Sequence, residues 1–318
     1  MKFLKTNFLF IVFIFSTTFY AQEKKDSLKI PFVSYWSKGD VYKFKVKKFE
    51  EKWKDEKLVK NDSIVYDASF TVLDSTETSY KIKWNYKIDI SDAFKFPTDL
   101  KNIVSKFKDM DIIYTTSEVG AFIGIENWEE ISKNVKEMTS ELMTLLPTKE
   151  NNNVELKKTM QQLFDVYATK EGIETYFAKE IQMFHYPFGV EFNTEEELVY
   201  EEELPNPFGG NPIKAVSTLY FDEVDVENSR CVFYREMKID PEDSKKMLAD
   251  IFKKIAPNDK DLKNFSKKMV FEVNDTNGYD YVYDPGVPVF IFNEREIIIK
   301  VDLKNERKID RLEIELTE

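Results

Sequence analysis

Histidine occurs once in the 318 residues, at His185, and cysteine once, at Cys231. Those two counts settle more chemistry than any motif does. Every zinc pattern built from two or more His or Cys ligands is excluded, H-E-x-x-H among them. A Ser-His-Asp arrangement would have to recruit His185, and no G-x-S-x-G is present for it to serve. Nine glycines supply neither G-x-x-x-x-G-K nor G-x-G-x-x-G, so there is no signature of a phosphate cradle. Cys231 falls in "SRCVFYRE", a strand-like alternation in which a small buried thiol is the expected state.

Carboxylate chemistry remains. A pair of Asp or Glu side chains could hydrolyse glycosidic bonds. The acidic run is Glu191, Glu195 to Glu197 and Glu201 to Glu203. It reads as a solvated strand edge that resists aggregation, with an acidic patch for a cationic partner as the alternative. "NDTNGYD" (Asn274 to Asp280) offers oxygen donors and a glycine, but its spacing is not that of an EF-hand loop, and a hairpin turn is predicted there. No catalytic, cofactor-binding or metal-binding residue is nominated, and no cofactor is implied.

The elements that would carry these residues follow from hydrophobic period. In "DVYKFKVKKF", Tyr42, Phe44 and Val46 alternate with lysines, and "SYKIKWNYKIDI" repeats the device through Tyr80, Ile82, Trp84 and Tyr86. One-sided alternation predicts antiparallel pairing. Helices are predicted over "FPTDLKNIVSKFKDM", over "NWEEISKNVKEMTSELMTLL" with Asn127 and Glu130 as a capping box, over Val154 to Tyr167, and over Lys170 to Phe184. His185 follows Ile181 by four, at the last turn of that apolar face, with Pro187 and Gly189 ending the helix. It reads as a helix terminator whose donor side chain meets the exposed carbonyls, and replacing it should cost about 1 kcal/mol or less. Strands return with "EEELVYEEELPNPFGGNPIKAVSTLYF", in which Pro205 to Pro212 form a loop. A helix is predicted over "DPEDSKKMLADIFKKI", capped by Asp240, and "GVPVFIFNEREIIIKVDL" and "RKIDRLEIEL" close the chain as strands.

Two stretches resemble each other. "GAFIGIENWEEI" (Gly120 to Ile131) and "GVPVFIFNEREI" (Gly286 to Ile297) share their Gly, Ile, Asn and Glu-Ile positions, and "FTVLD…KID" aligns with "FDEVD…KID", placing Phe70 on Phe221. The order around both is hairpin, short helix, strand, glycine turn, strand, the pattern expected of an internal duplication. The fold class predicted is α+β: two similar antiparallel units, 40–131 and 189–318, curved around a helical insert at 132–188.

"MKFLKTNFLFIVFIFSTTFYAQ" reads as a signal peptide, residues 1–21, with Lys2 and Lys5 ahead of an apolar run and Ala21 at the cut. The mature region would then be 22–318, exported to the periplasm, with the cell surface or the medium as alternatives and no transmembrane segment. The formal net charge is −12 and is uneven: Gln22 to Met110 carries 19 lysines against 15 acids, and the remainder of the mature region is −18. Overall acidity argues against nucleic acid as a partner. A single cysteine leaves no intrachain disulfide.

The "FYAQ" junction, the "PNPFGGNP" loop and the Gly-to-Asn strand unit are similar to those of secreted Bacteroidetes proteins of unknown function. More distantly, the implied layout resembles the periplasmic lipoprotein-carrier fold, and that resemblance implies a curved sheet wrapped over helices with acyl chains in its concavity. The functional expectation is an exported, non-enzymatic protein binding an apolar or amphipathic ligand or an envelope partner. A carboxylate-dependent hydrolase acting on glycans, or an envelope scaffold without a small-molecule site, are the alternatives.

Overall fold

The computed structural model describes residues 27–87, 98–104, 109–145, 160–161, 164–204, 211–255, 269–301 and 304–318. The signal-peptide reading, residues 205–210 of the predicted Pro205–Pro212 loop and most of the predicted Val154–Tyr167 helix lie outside them. The strands are β1 (Lys29–Pro31), β2 (Val41–Lys54), β3 (Lys57–Ser75), β4 (Ser79–Lys87), β5 (Asp109–Ser117), β6 (Phe122–Ile125), β7 (Glu191–Asn193), β8 (Leu198–Leu204), β9 (Ile213–Asp225), β10 (Arg230–Ile239), β11 (Val270–Val282), β12 (Val287–Val301) and β13 (Lys304–Leu316). The helices are α1 (Thr98–Val104), α2 (Trp128–Leu145), α3 (Lys170–Tyr176), α4 (Lys179–His185) and α5 (Pro241–Ile255).

Eleven strands form one curved sheet in the order β6-β5-β4-β3-β2-β13-β12-β11-β10-β9-β8, antiparallel at every pairing. Each half is a meander, and the last strand in the chain, β13, sits in the middle and joins them. Its pairing with β2 sets Ile314 opposite Val46 and Leu312 opposite Lys48. β1 and β7 form a separate two-stranded ribbon.

The alternation read from β2 is realised. Phe44 and Val46 are buried, while Lys45 and Lys47 face outward to Asp67 and Glu315 at 3.4 and 3.2 Å. The inner face is covered by Phe32 and Trp36 after β1, and by Phe184, His185 and Phe188 at the end of α4. Phe70 stacks on Phe184 at 4.9 Å between ring centres, Trp36 meets Phe70 edge-on at 5.0 Å, and Phe233 stacks on Tyr279 at 4.7 Å. The aromatic wealth of the chain thus goes largely into packing rings on rings, each buried ring contributing about 1.5–3 kcal/mol through burial.

The two halves of the sheet share local irregularities. β3 bulges between Val72 and Asp74 opposite Ile82 and Lys81; β9 bulges between Phe221 and Glu223 opposite Phe233 and Val232. β6 and β12 each carry one extra residue at matching places, Ile123 and Val289. Gly120, in the β5–β6 turn, and Gly286, in the β11–β12 turn, have φ of +92° and +94°. By the bulges, Val72 occupies the place of Phe221, so the ungapped alignment of Phe70 with Phe221 is displaced by two residues. A longer second turn absorbs the difference.

Three sequence expectations fail locally. Residues 274–280 are no turn: β11 runs unbroken from Val270 to Val282, with Asp275 opposite Arg295 and Asn277 opposite Asn293. Polar residues that would mark a turn are here satisfied by polar partners on β12, and Gly278 lies beneath the ring of Phe292. Asn127 does not cap α2 with its carboxamide oxygen. That oxygen accepts from the Ile113 amide, and its NH2 donates to the Asp111 carbonyl, stapling the chain to β5. The helix predicted over 170–184 is two helices, broken at Phe177–Ala178.

Candidate functional site

His185 lies among the core rings of Trp36, Tyr114, Phe184 and Phe188. It is buried, and a carbonyl can only accept, so its Nδ1–H donates to the Gly120 carbonyl at 2.7 Å and its Nε2 accepts from the Tyr114 hydroxyl at 2.8 Å. Burial pushes its pKa down to about 3, against a smaller opposing effect of the Gly120 bond, so the ring is neutral. The terminator reading is right about the position and wrong about the partner, because the imidazole turns inward to the other end of the sheet. Cys231 is buried beneath the same cover, and desolvation pushes its thiol up to about 12, which leaves no thiolate at neutral pH. Both side chains are buried, His185 at 4% exposure and Cys231 at 1%.

The acidic run divides between faces. Glu201 and Glu203 are exposed on the edge strand β8, as expected of a guarded edge. Glu202 points inward, accepting from the Arg235 guanidinium and the Ser217 hydroxyl. Among the described residues no group of three His, Cys, Asp or Glu side chains could hold a metal ion.

A cavity that sequence reasoning did not find lies where the inner face of the sheet emerges from under α4. It arises because several neighbouring strands change chemistry at the same level. The cross-strand row Tyr66–Val46–Ile314–Ile291–Tyr279 is apolar. The next row is Ile64–Lys48–Leu312–Asn293–Asn277, and the one after it is Asp62–Glu50–Asp310–Arg295–Asp275. A further step brings Lys60, Lys52 and Lys308 side by side. The recess at this boundary has a volume of about 380 Å³ and is lined by Lys48, Glu50, Ile64, Lys179, Arg295 and Leu312, among others.

Its charges are tightly arranged. Lys48 reaches the buried carboxylate of Glu180 at 2.5 Å, and the Tyr66 hydroxyl donates to the same carboxylate at 2.8 Å. Burial alone would raise the Glu180 pKa; Lys48 and these hydrogen bonds hold it below the ordinary value, so it stays ionised. Arg295 grips Asp275 through two bonds of 2.7 and 2.5 Å. Glu50 and Asp62 face each other across β2 and β3 and share Lys60, at 3.1 and 3.0 Å. Lys179 differs: its stem is exposed, and its ammonium reaches in to Oδ1 of buried Asn293 at 2.6 Å, Asn293 itself donating to Asn277.

No family model and no curated protein matches the chain. Among solved structures, a lipovitellin chain, from work on lipid–protein interactions in lipovitellin, is similar over 89% of this chain and 25% of its own, at 10% identity and a TM-score of 0.41. This chain therefore spans about a quarter of that one, and a likeness of that degree carries no argument about function. Among the described residues no helix is long and apolar enough to cross a membrane.

Two clues to the recess were in the sequence. The alternation of β2 continues past Val46 as Lys48, Glu50 and Lys52, a charged face where an apolar one had been. The same change occurs in β13, where Lys308 and Asp310 precede Leu312 and Ile314. Only the pairing of these strands shows that the two changes fall at one level.

Proposed function

We propose that this chain is an exported, non-enzymatic binding protein that takes an amphipathic ligand in the recess beside α4. The observation that carries this reading is the boundary itself. A ligand lying across it places apolar atoms on Ile64 and Leu312 and polar atoms on the charged row beginning at Asp62 and Glu50. The volume suits a small amphiphile, and small-molecule sites characteristically combine apolar walls with a few fixed polar groups. Export to the periplasm belongs to the same proposal, resting on the amino-terminal apolar stretch.

The hydrolase reading is less well supported. Glu50 and Asp62 are opposed carboxylates, as glycoside hydrolysis would need. Burial would raise the Glu50 pKa, but hydrogen bonds from Lys60 and Lys52 outweigh it and hold the group below the usual value. A general acid needs the opposite shift.

The test is extraction of the purified full-length mature protein with organic solvent, followed by mass spectrometry. An amphiphile recovered in near-stoichiometric amount from the native sequence and depleted from Ile64→Asp supports the reading. Extracts free of any such molecule, with no binding of added amphiphiles, favour the scaffold alternative.

A further inference from the structure

The recess is electrically incomplete. Six cations stand on or over its charged part, Lys48, Lys52, Lys60, Lys179, Arg295 and Lys308, besides Arg311 at its wall, which is neutralised by its own partner Glu294. Five carboxylates accompany them: Glu50, Asp62, Glu180, Asp275 and Asp310. The pairing shows where the surplus charge lies. Lys48 is held by Glu180, Arg295 by Asp275, Lys308 by Asp310, Lys52 by Glu50, and Lys60 by Glu50 and Asp62. Lys179 alone of the six has no carboxylate at ion-pair distance among the described residues; Asp275 and Glu180 act on it only from further off, and its hydrogen-bond partner is the neutral carboxamide of Asn293.

We infer that the recess receives the acidic head of its amphipathic ligand, a carboxylate carrying a single negative charge, on the ammonium of Lys179. The inference rests on the recess being the binding site and adds the class of ligand. An ammonium offers three donors, and Asn293 takes one, leaving two for a ligand oxygen. The Asn293–Asn277 bond fixes the carboxamide from behind, so the ammonium is aimed before any ligand arrives. Competing anions on the protein are occupied: Asp275 by the two-toothed grip of Arg295, Glu180 by Lys48 and Tyr66. The apolar part of the ligand then runs toward Ile64 and Leu312. Crowding by the surrounding protein, and next the nearby Arg295 guanidinium, hold the Lys179 pKa below its ordinary value, a deficit that a bound anion would relieve.

The experiment is calorimetric titration of the full-length mature protein with decanoate and, separately, with decanol, repeated on Lys179→Gln and Lys179→Arg. Melting temperatures of the variants are measured alongside; Gln and Arg each keep an N–H donor for the Asn293 carboxamide, so a changed preference at a near-parental midpoint reads on the ligand and not on folding. Decanoate should bind at least tenfold tighter than decanol. Lys179→Gln should abolish that preference without changing decanol affinity, and Lys179→Arg should restore most of it. Equal affinities for the two probes, or an unaltered preference in Lys179→Gln, would overturn the acidic head while leaving the recess as a site. Failure of both probes to bind the parent protein would overturn the recess as well.

Discussion

The imidazole of His185 is held between a carbonyl acceptor and a phenol donor, an arrangement that needs the neutral ring with its proton on Nδ1. Replacement by Asn would leave Tyr114 or Gly120 unpaired in the core, so the expected cost is about 2–3 kcal/mol, more than a helix-end role predicts. The pH dependence has a definite sign. Between the folded pKa of about 3 and the ordinary value near 6.5, the unfolded chain binds a proton that the folded chain does not. Stability from this residue is therefore full above 6.5 and is lost as pH falls toward 3. From pH 7 to pH 5 the loss should be about 2 kcal/mol. Denaturant unfolding of the parent and His185→Gln across that range isolates the contribution: the difference in stability should shrink by about that amount, and parallel curves would show that the ring is not buried neutral.

At the scale of the turn and the strand, two glycines do matching work. Gly120 and Gly286 each adopt positive φ, and a methyl group added at either would approach the same ring, Phe188, at 2.7 and 2.9 Å respectively. The Gly286 carbonyl accepts from Trp36 as the Gly120 carbonyl accepts from His185, so both turns are tied to the inner cover. Gly120→Ala and Gly286→Ala should each destabilise by about 2 kcal/mol or more, from the backbone conformation and the displaced ring together. Because one ring receives both intrusions, the double variant should lose less than the two single losses combined. Urea midpoints of the four proteins check this; strict additivity would mean that Phe188 does not couple the turns. The matched bulges and turns fall in the two stretches whose sequences resemble each other. They also show the limit of that resemblance, since the shift between Val72 and Phe221 is invisible without the strand register.

For the molecule as a whole, β13 is the keystone. It pairs with β2 on one side and β12 on the other, joining residues some 250 positions apart. Ending the chain at Val301 would expose two long strand edges in the middle of the sheet and strip the inner face of Leu312 and Ile314, both buried. The expected outcome is loss of a single cooperative thermal transition and aggregation at micromolar concentration, read by circular dichroism and size-exclusion chromatography. A truncated protein that melts cooperatively would show that the halves fold independently.

Period and composition by themselves determined much of this. Alternation identified β2 and β4, because a strand half-buried in a sheet must present alternate residues to the core whatever its neighbours are. The single His and single Cys removed whole classes of chemistry, because a reaction cannot use groups that are absent. Asp240 as a helix cap, with its carboxylate accepting from the Glu242 and Asp243 amides, is likewise a local matter. What needed the tertiary structure is everything that depends on which strand lies beside which. Alternation is the same for any antiparallel partner, so the central place of β13 could not be read from it. The polar stretch from Asn274 to Gly278 looked like a turn because its satisfying partners, Asn293, Arg295 and Phe292, arrive from another strand. The recess is of the same kind. Lys48 and Asp310 are unremarkable residues in separate strands, and they become one charged surface only where register brings β2, β12 and β13 to the same level under α4.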